Sequence, residues 1–336
     1  MNSEFLTALQ ELNRELGIPL EDLLSSIEAA LADAYRRAFA PFGYVTVKVD
    51  LATAELHVRS RTYDASGEEV FQDLPTEDFA RLAAQTAKSA VLRHIRNLER
   101  DRALQEASEH RGELASGVID RVEGGTVYVD MGGRAEGVMP PEEQIPGEEL
   151  RPGRPLTVVI LDARKGKSGT QVQISRASRL FVRKLLEAEV PEVASGRVQI
   201  KALAREAGLR SKVAVWSDEP GLDPVGACIG PKGVRHRSVL AELGREHVDI
   251  VPWSGDLERF IAAALGPATV SAVTLERTTN TARILVPHGQ LSLAIGKDGQ
   301  NARLAAKLTG WRIDIRAEVS SPAPAGDAVG DGQGQA

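Results

Sequence analysis

The chain has 336 residues, which suits about two to four small domains better than one. No apolar run approaches the roughly 20 residues of a membrane span, and the N-terminus lacks the apolar core of a secretion signal. The single cysteine, Cys228, excludes an internal disulfide, so we expect a reducing, cytoplasmic location and no membrane partner.

The net charge of −6 is unevenly distributed along the chain. Residues 1–112 carry 13 Lys/Arg and 19 Asp/Glu, a balance of 13 − 19 = −6, and residues 113–175 carry 7 and 10, a balance of −3. Residues 176–316 carry 21 and 15, a balance of +6. Nucleic-acid affinity comes largely from phosphate neutralisation, so the third segment is the best candidate for binding nucleic acid.

Residues 1–111 are predicted to form a helical, α+β N-terminal domain. Apolar spacing predicts two helices, through Phe5, Leu9, Leu12 and Leu16 and through Leu20, Leu24, Ile27 and Leu31. Alternation over 45–49 and 55–58 predicts an antiparallel strand pair. Thr76 is expected to cap a long helix that ends near Glu109. The acidic balance favours a protein partner over RNA, and a plain solvated surface is the alternative.

Residues 112–176 change to short β runs separated by glycine turns. Five short strands in about 65 residues predict a small Greek-key barrel. The segment resembles an S1-type OB fold, a family that binds single-stranded RNA by stacking bases on exposed aromatics. The resemblance implies RNA contacts at Arg121, Tyr128 and Arg134, although the segment is net negative. Alternatively, Tyr128 packs against the neighbouring module.

A loop that occurs twice organises residues 177–318. Gly230-Pro231-Lys232-Gly233 and Gly296-Lys297-Asp298-Gly299 begin 296 − 230 = 66 residues apart. Each follows an isoleucine and precedes a helical run and an apolar-Asp-Ile strand, and each has an arginine seven positions after its first glycine. We predict two tandem repeats, at 177–252 and 253–318, with the element order α-β-β-α-α-β and no linker between them.

Glycine at both ends lets the loop backbone approach a ligand closely. The helix that follows points its free N–H groups and positive dipole end at the loop, which favours phosphate. This pattern resembles the type II KH domain, whose GXXG loop clamps single-stranded nucleic acid. A simple helix–helix turn, with the arginines on a solvated face, is the alternative. The predicted RNA contacts are Gly230, Pro231, Lys232, Gly233, Arg235, Arg237, Gly296, Lys297, Asp298, Gly299, Gln300, Asn301, Arg303 and Lys307.

Nothing in the sequence indicates catalysis, a cofactor or a metal site. The 6 histidines are scattered without metal-ligand spacing, and no nucleophile elbow or Walker loop occurs. From about residue 319 the chain is rich in Ser, Pro, Ala and Gly, so we expect 319–336 to be a disordered tail.

An α+β domain, an S1-type barrel and two KH repeats, in that order, resemble the NusA family of bacterial transcription termination and antitermination factors. The most specific stretches are residues 223–230, 248–253 and 294–306. The resemblance implies a monomer that docks on RNA polymerase, guides nascent RNA, works with other Nus factors, and modulates pausing, termination and antitermination. The alternatives are an RNA-degrading enzyme similar to polynucleotide phosphorylase and a ribosome-associated RNA-binding module.

Overall fold

The computed structural model describes residues 11, 14, 17–50, 53, 55–132, 135–166 and 169–318. The predicted first helix, Arg134 and the predicted tail at 319–336 lie outside these residues, apart from residues 11 and 14 of the helix. Contacts divide the chain into two units, Met1–Gln105 and Glu106–Ala336, with the boundary inside a long helix.

In the first unit, two helices share a core with one face of a small antiparallel sheet with the order β1-β2-β3. Its core combines one face of the first helix with alternate residues of β1, such as Ile27, Leu31 and Val47. The elements are α1 (Leu20–Phe39), β1 (Tyr44–Val49), β2 (Leu56–Tyr63), β3 (Glu69–Asp73) and α2 (Ala80–Glu109).

Two details of this unit differ from the sequence-based prediction. Thr76 makes no side-chain capping bond, because a 3₁₀ turn over Glu77–Phe79 precedes α2. The third strand, β3, was not predicted, since all five of its residues are exposed and no buried alternation marks it.

The second unit begins with the five-stranded closed barrel that the sequence predicts. The strands are joined in the order β4-β5-β6-β8-β7, with β6 and β8 parallel. Alternating residues such as Val127 and Val129 fill the interior, as the strand pattern predicted. The strands are β4 (Leu114–Glu123), β5 (Thr126–Asp130), β6 (Ala135–Met139), β7 (Pro155–Lys165) and β8 (Thr170–Ser175).

The first repeat has the predicted order, with one short extra helix. Its sheet runs β11-β10-β9, and β10 and β11 are parallel. The elements are α3 (Arg179–Glu189), α4 (Pro191–Ala194), β9 (Gln199–Glu206), β10 (Arg210–Trp216), α5 (Pro224–Ile229), α6 (Val234–Leu243) and β11 (His247–Pro252).

The second repeat has the same topology, with β13 and β14 parallel and the order β12-β13-β14. Its first strand begins at Ala272. The elements are α7 (Leu257–Ala264), β12 (Ala272–Glu276), β13 (Thr281–Val286), α8 (Leu291–Ile295), α9 (Gln300–Thr309) and β14 (Arg312–Ala317).

A buried arginine ties the barrel to the first repeat. Arg176 precedes helix α3, which starts at Arg179, where the Ser178 hydroxyl accepts a hydrogen bond from the Leu180 amide. Arg176 is 2% exposed, and its guanidinium contacts both carboxylate oxygens of Glu148 at 2.8 Å and donates to the Glu242 carbonyl at 2.6 Å. A buried charge of this kind is tolerable only when it is fully paired.

The two repeats are tied together in the same way. Ala204 and Ala214 of the first repeat belong to the apolar core of the second. Lys212, which is fully buried, donates to Asp249 at 3.0 Å and to the Gly266 carbonyl at 2.8 Å. Burial lowers the pKa of this lysine. The barrel therefore packs directly on the first repeat, and the two repeats pack directly on each other, as the absence of a linker between the repeats predicted.

Candidate nucleic-acid interface

The two predicted loops have nearly identical backbones. Gly230 and Gly296 have φ, ψ of 73°, 170° and 76°, 169°. The third residue of each loop is left-handed although it is not glycine: Lys232 has 53°, 23° and Asp298 has 53°, 26°. Such angles cost free energy in most residues and are kept only where the surroundings enforce them. The repeat in the sequence is thus a repeat in backbone geometry.

The first glycine of each loop is required by space as well as by its angles. A Cβ added at Gly230 would lie 2.7 Å from Arg235 Cγ, and one at Gly296 would lie 2.8 Å from Asn301 Cβ. Arg235 and Asn301 both stand five positions after their glycine. The residue below the loop therefore supports the backbone in both copies.

The repeated arginines also support the loops. Arg237 Nη1 donates to the Lys232 carbonyl at 2.6 Å, and Arg303 Nη1 donates to the Asp298 carbonyl at 3.2 Å. In each copy the acceptor belongs to the left-handed residue. These bonds offset part of the cost of the unusual backbone.

Both loops are open to solvent at their two central residues, Pro231 and Lys232 in one and Lys297 and Asp298 in the other. The isoleucines before them are also accessible, with Ile229 39% and Ile295 37% exposed. Neither isoleucine was among the predicted contacts. The sequence could have indicated them, because an isoleucine precedes the loop in both copies. An exposed apolar side chain beside the loop can contact the face of a base.

Helices α6 and α9 begin at Val234 and Gln300, directly after the second glycine of each loop. Their N-terminal ends therefore point at the loops, as predicted, and give each loop a partial positive charge. The copies differ in side-chain charge, because Lys232 stands where the second loop has Asp298.

Two predicted RNA contacts have structural roles. The Asn301 side chain is 1% exposed, and its Nδ2 donates to the carbonyls of Leu265 at 2.9 Å and Ala294 at 3.0 Å. The prediction that it contacts RNA is wrong for its side chain, which lies in the core. Arg235 donates to Glu192 at 2.8 Å and to the Ala227 carbonyl at 2.7 Å, so it supports the first loop from below.

Three other predicted contacts meet at one carboxylate of the first repeat. Glu206 accepts from Arg303 Nε at 2.6 Å and Nη2 at 3.0 Å, from Gln300 at 3.2 Å and from Lys307 at 3.4 Å. Hydrogen bonding from Arg303 lowers the pKa of Glu206 to about 2, so the carboxylate is ionised at neutral pH. In the described part of the chain, no carboxylate pairs with Arg237, the equivalent residue of the first repeat.

The barrel surface around Arg121 and Tyr128 is less favourable for RNA binding than the sequence suggested. The Arg121 guanidinium lies 3.9 Å from the ring centre of Tyr128, and it pairs with Asp120 and Glu136 at 2.8 Å and Glu123 at 3.0 Å. The hydrogen bonds that Arg121 donates to Asp120 and then to Glu136 raise its pKa. One face of Tyr128 is therefore covered, and the nearby cation is already neutralised.

Cys228 is buried, and burial raises the pKa of its thiol to about 11. Among the described residues, no group of three or more His, Cys, Asp or Glu is placed to hold a metal ion. None of the described helices is both long and apolar enough to cross a membrane.

Comparison with known families agrees with the arrangement of the two loops. A NusA-like first KH domain matches residues 176–253, a NusA-like second KH domain matches 257–322, and the NusA N-terminal domain matches 4–65. The transcription termination/antitermination protein NusA of Mycobacterium tuberculosis is 42% identical over 98% of this chain and 98% of the relative. This chain belongs to the NusA family.

Further NusA relatives share nearly the whole chain. The Bacillus subtilis protein is 39% identical over 96% of this chain and 92% of its own. The Thermus thermophilus protein is 38% identical over 95% and 92%. These relatives are named transcription termination/antitermination proteins, which fits the transcription-factor interpretation and not the RNA-degrading or ribosomal alternatives.

We expect substitution of the first glycine of the second loop to destabilise the protein much more than substitution of the second glycine. Gly296→Ala adds a Cβ in close contact with Asn301 at angles that only glycine adopts readily, and we expect it to cost about 2 kcal/mol. Gly299→Asn is the matched control, because asparagine tolerates the left-handed angles of Gly299 and a Cβ there meets nothing within 4 Å.

Urea unfolding followed by tryptophan fluorescence measures both variants, since the 3 tryptophans, at 216, 253 and 311, all lie in the KH repeats. Equal losses of stability would show that the contact below Gly296 is unimportant.

Proposed function

We propose that this protein is a transcription elongation factor that docks on bacterial RNA polymerase and guides single-stranded nascent RNA across its two KH loops. In doing so it modulates pausing, intrinsic termination and antitermination. The observation that carries the proposal is the pair of exposed glycine-bounded loops with the same backbone, held at a fixed separation by a shared core. A KH loop clamps about four nucleotides of backbone, so one strand can occupy both.

The RNA contacts in this proposal are the two loops, Arg237 and the exposed isoleucines Ile229 and Ile295 that flank the loops. Lys232 supplies the exposed cation of the first loop, and Lys297 that of the second. Arg121 and Tyr128 contribute less to RNA binding in this proposal. Arg121 covers one face of the Tyr128 ring, and carboxylates neutralise its charge. Arg134 is proposed as a contact from the sequence alone.

The N-terminal unit is proposed to bind the polymerase. Its sheet exposes aromatic side chains, with Tyr44 57%, Tyr63 64% and Phe71 59% exposed, and Phe42, just before β1, is 90% exposed. Tyr44 and Phe71 flank Arg61 on adjacent strands of that sheet. Exposed apolar groups gathered on one face are typical of a protein-binding surface.

In this proposal the chain has five segments: a polymerase-binding domain at 1–111, an S1-type barrel at 112–176, KH domains at 177–252 and 253–318, and a tail at 319–336. The protein acts in the cytoplasm as a monomer, without a cofactor or a bond-making step, and with other Nus factors as further partners.

We expect Lys232→Asp combined with Lys297→Asp to weaken RNA binding by more than tenfold at 0.15 M salt. Each lost phosphate contact costs about fourfold under these conditions, because a contact contributes a salt slope of about 0.7 on single strands. Fluorescence anisotropy with a labelled single-stranded RNA of about 12 nucleotides, long enough for two KH loops, measures the affinity and the slope.

The matched control is Lys48→Asp with Lys88→Asp, which makes the same charge change on exposed lysines of the N-terminal unit. If both pairs weaken binding equally, general charge rather than the loops holds the RNA.

We also expect residues 1–110 to retain RNA polymerase from a bacterial lysate, while residues 113–336 bind the RNA probe and do not retain polymerase. The acidic charge and exposed aromatics of the first unit are the physical basis. Immunoblotting for polymerase subunits after a pull-down tests this. Polymerase bound only to the 113–336 fragment would overturn the proposed docking.

A further inference from the structure

The second KH repeat has a cluster of side-chain donors that binds a carboxylate of the first repeat. Gln300, Arg303 and Lys307 lie on successive turns of one face of α9, directly behind the second loop. All three donate to the carboxylate of Glu206, which stands at the end of β9 in the first repeat. The arginine uses two of its nitrogens, the geometry that also binds phosphate.

The first repeat has no such site. The residues equivalent to Gln300 and Lys307, 66 positions earlier, are Val234 and Ala241. Only the arginine recurs, as Arg237, and no described carboxylate pairs with it. The cluster on α9 is therefore a property of the second repeat alone and is not needed to build a KH loop.

Contacts other than those of Glu206 also hold the two repeats together. Ala204 of β9 packs in one apolar cluster with Leu304, Ala305 and Leu308 of α9. Lys212 separately bridges the repeats through the Gly266 carbonyl. The carboxylate sits at the margin of this contact, with its side chain 15% exposed, whereas Arg303 is 48% and Lys307 54% exposed. A phosphate can therefore approach the two cations from solvent.

We propose that Glu206 is an internal competitor of RNA, because its carboxylate occupies the site on Gln300, Arg303 and Lys307 that would otherwise bind a backbone phosphate. This inference rests on the proposed function, in which a single RNA strand passes both loops. RNA binding at the second repeat then requires a phosphate to displace the carboxylate. The affinity of the second repeat for RNA is therefore lowered by the free energy needed to break the hydrogen bonds to Glu206.

Glu206→Gln tests the proposal in the full chain. Glutamine keeps the shape and an acceptor oxygen but loses the charge, so Arg303 and Lys307 become available to phosphate. We expect RNA affinity at 0.15 M salt to rise by about 4- to 15-fold, because one or two phosphate contacts, each worth about fourfold there, form without displacing a charged competitor. The same labelled single-stranded RNA of about 12 nucleotides serves as the probe.

Glu276→Gln is the matched control. It removes the same charge from an Arg283–Glu276 ion pair, at 2.8 Å, elsewhere in the second repeat. We expect it to change the affinity by less than twofold. Adding Arg303→Gln and Lys307→Gln to Glu206→Gln should abolish the gain, because the freed cations are then absent.

The outcomes separate this inference from the proposed function. If the unaltered chain binds no RNA, the proposed function fails. If it binds RNA but Glu206→Gln binds no more tightly than Glu276→Gln, only the competitor role fails.

A second measurement needs no substitution. The Arg303 Nε–H resonance should shift when RNA is added to the unaltered protein, as its acceptor changes from carboxylate to phosphate. A resonance that stays in place while RNA binds would overturn the proposal even if Glu206→Gln did not fold.

Discussion

The whole structure depends on a backbone constraint that appears twice. In each KH loop, a non-glycine residue is held left-handed between two glycines that also have positive φ. The loop keeps this form because an arginine bonds the carbonyl of the strained residue, and because the side chain five positions after the first glycine supports it from below. The strain leaves the two central residues exposed and sets a helix N-terminus directly behind them. Those are the properties an RNA-binding loop needs.

Packing between the modules holds the two loops in a fixed relative position. Two buried cations donate across module boundaries. Arg176, paired with Glu148 of the barrel, donates to the Glu242 carbonyl of the first repeat, and Lys212, paired with Asp249, donates to the Gly266 carbonyl of the second. Apolar clusters continue across the same boundaries. Losing either partner would leave a buried charge uncompensated, which is costly. The relative position of the loops is therefore fixed by packing rather than by a tether. Their surroundings differ in charge, because Asp298 stands where the first loop has Lys232 and because Glu206 pairs with Arg303 and Lys307 behind the second loop.

Much of this architecture could be predicted from the sequence, because local pattern determines it. The 66-residue repeat, the strand pairs and the helices after each loop are all found at or near the predicted positions. Pairing between distant residues could not be predicted. Arg303 looked like a free cation until the fold placed Glu206 beside it, and Asn301 looked like a loop residue until it proved buried. Strand β3 was missed because neither of its faces is buried.

Backbone amide NMR of the labelled full chain, titrated with single-stranded RNA of about 12 nucleotides, tests the central claim most directly. If one strand occupies both loops, the amides of Lys232, Gly233, Lys297 and Gly299 shift together at a single RNA concentration, while those in the interior of the barrel stay in place. If RNA binds while either set remains unshifted, the two loops do not form one binding surface.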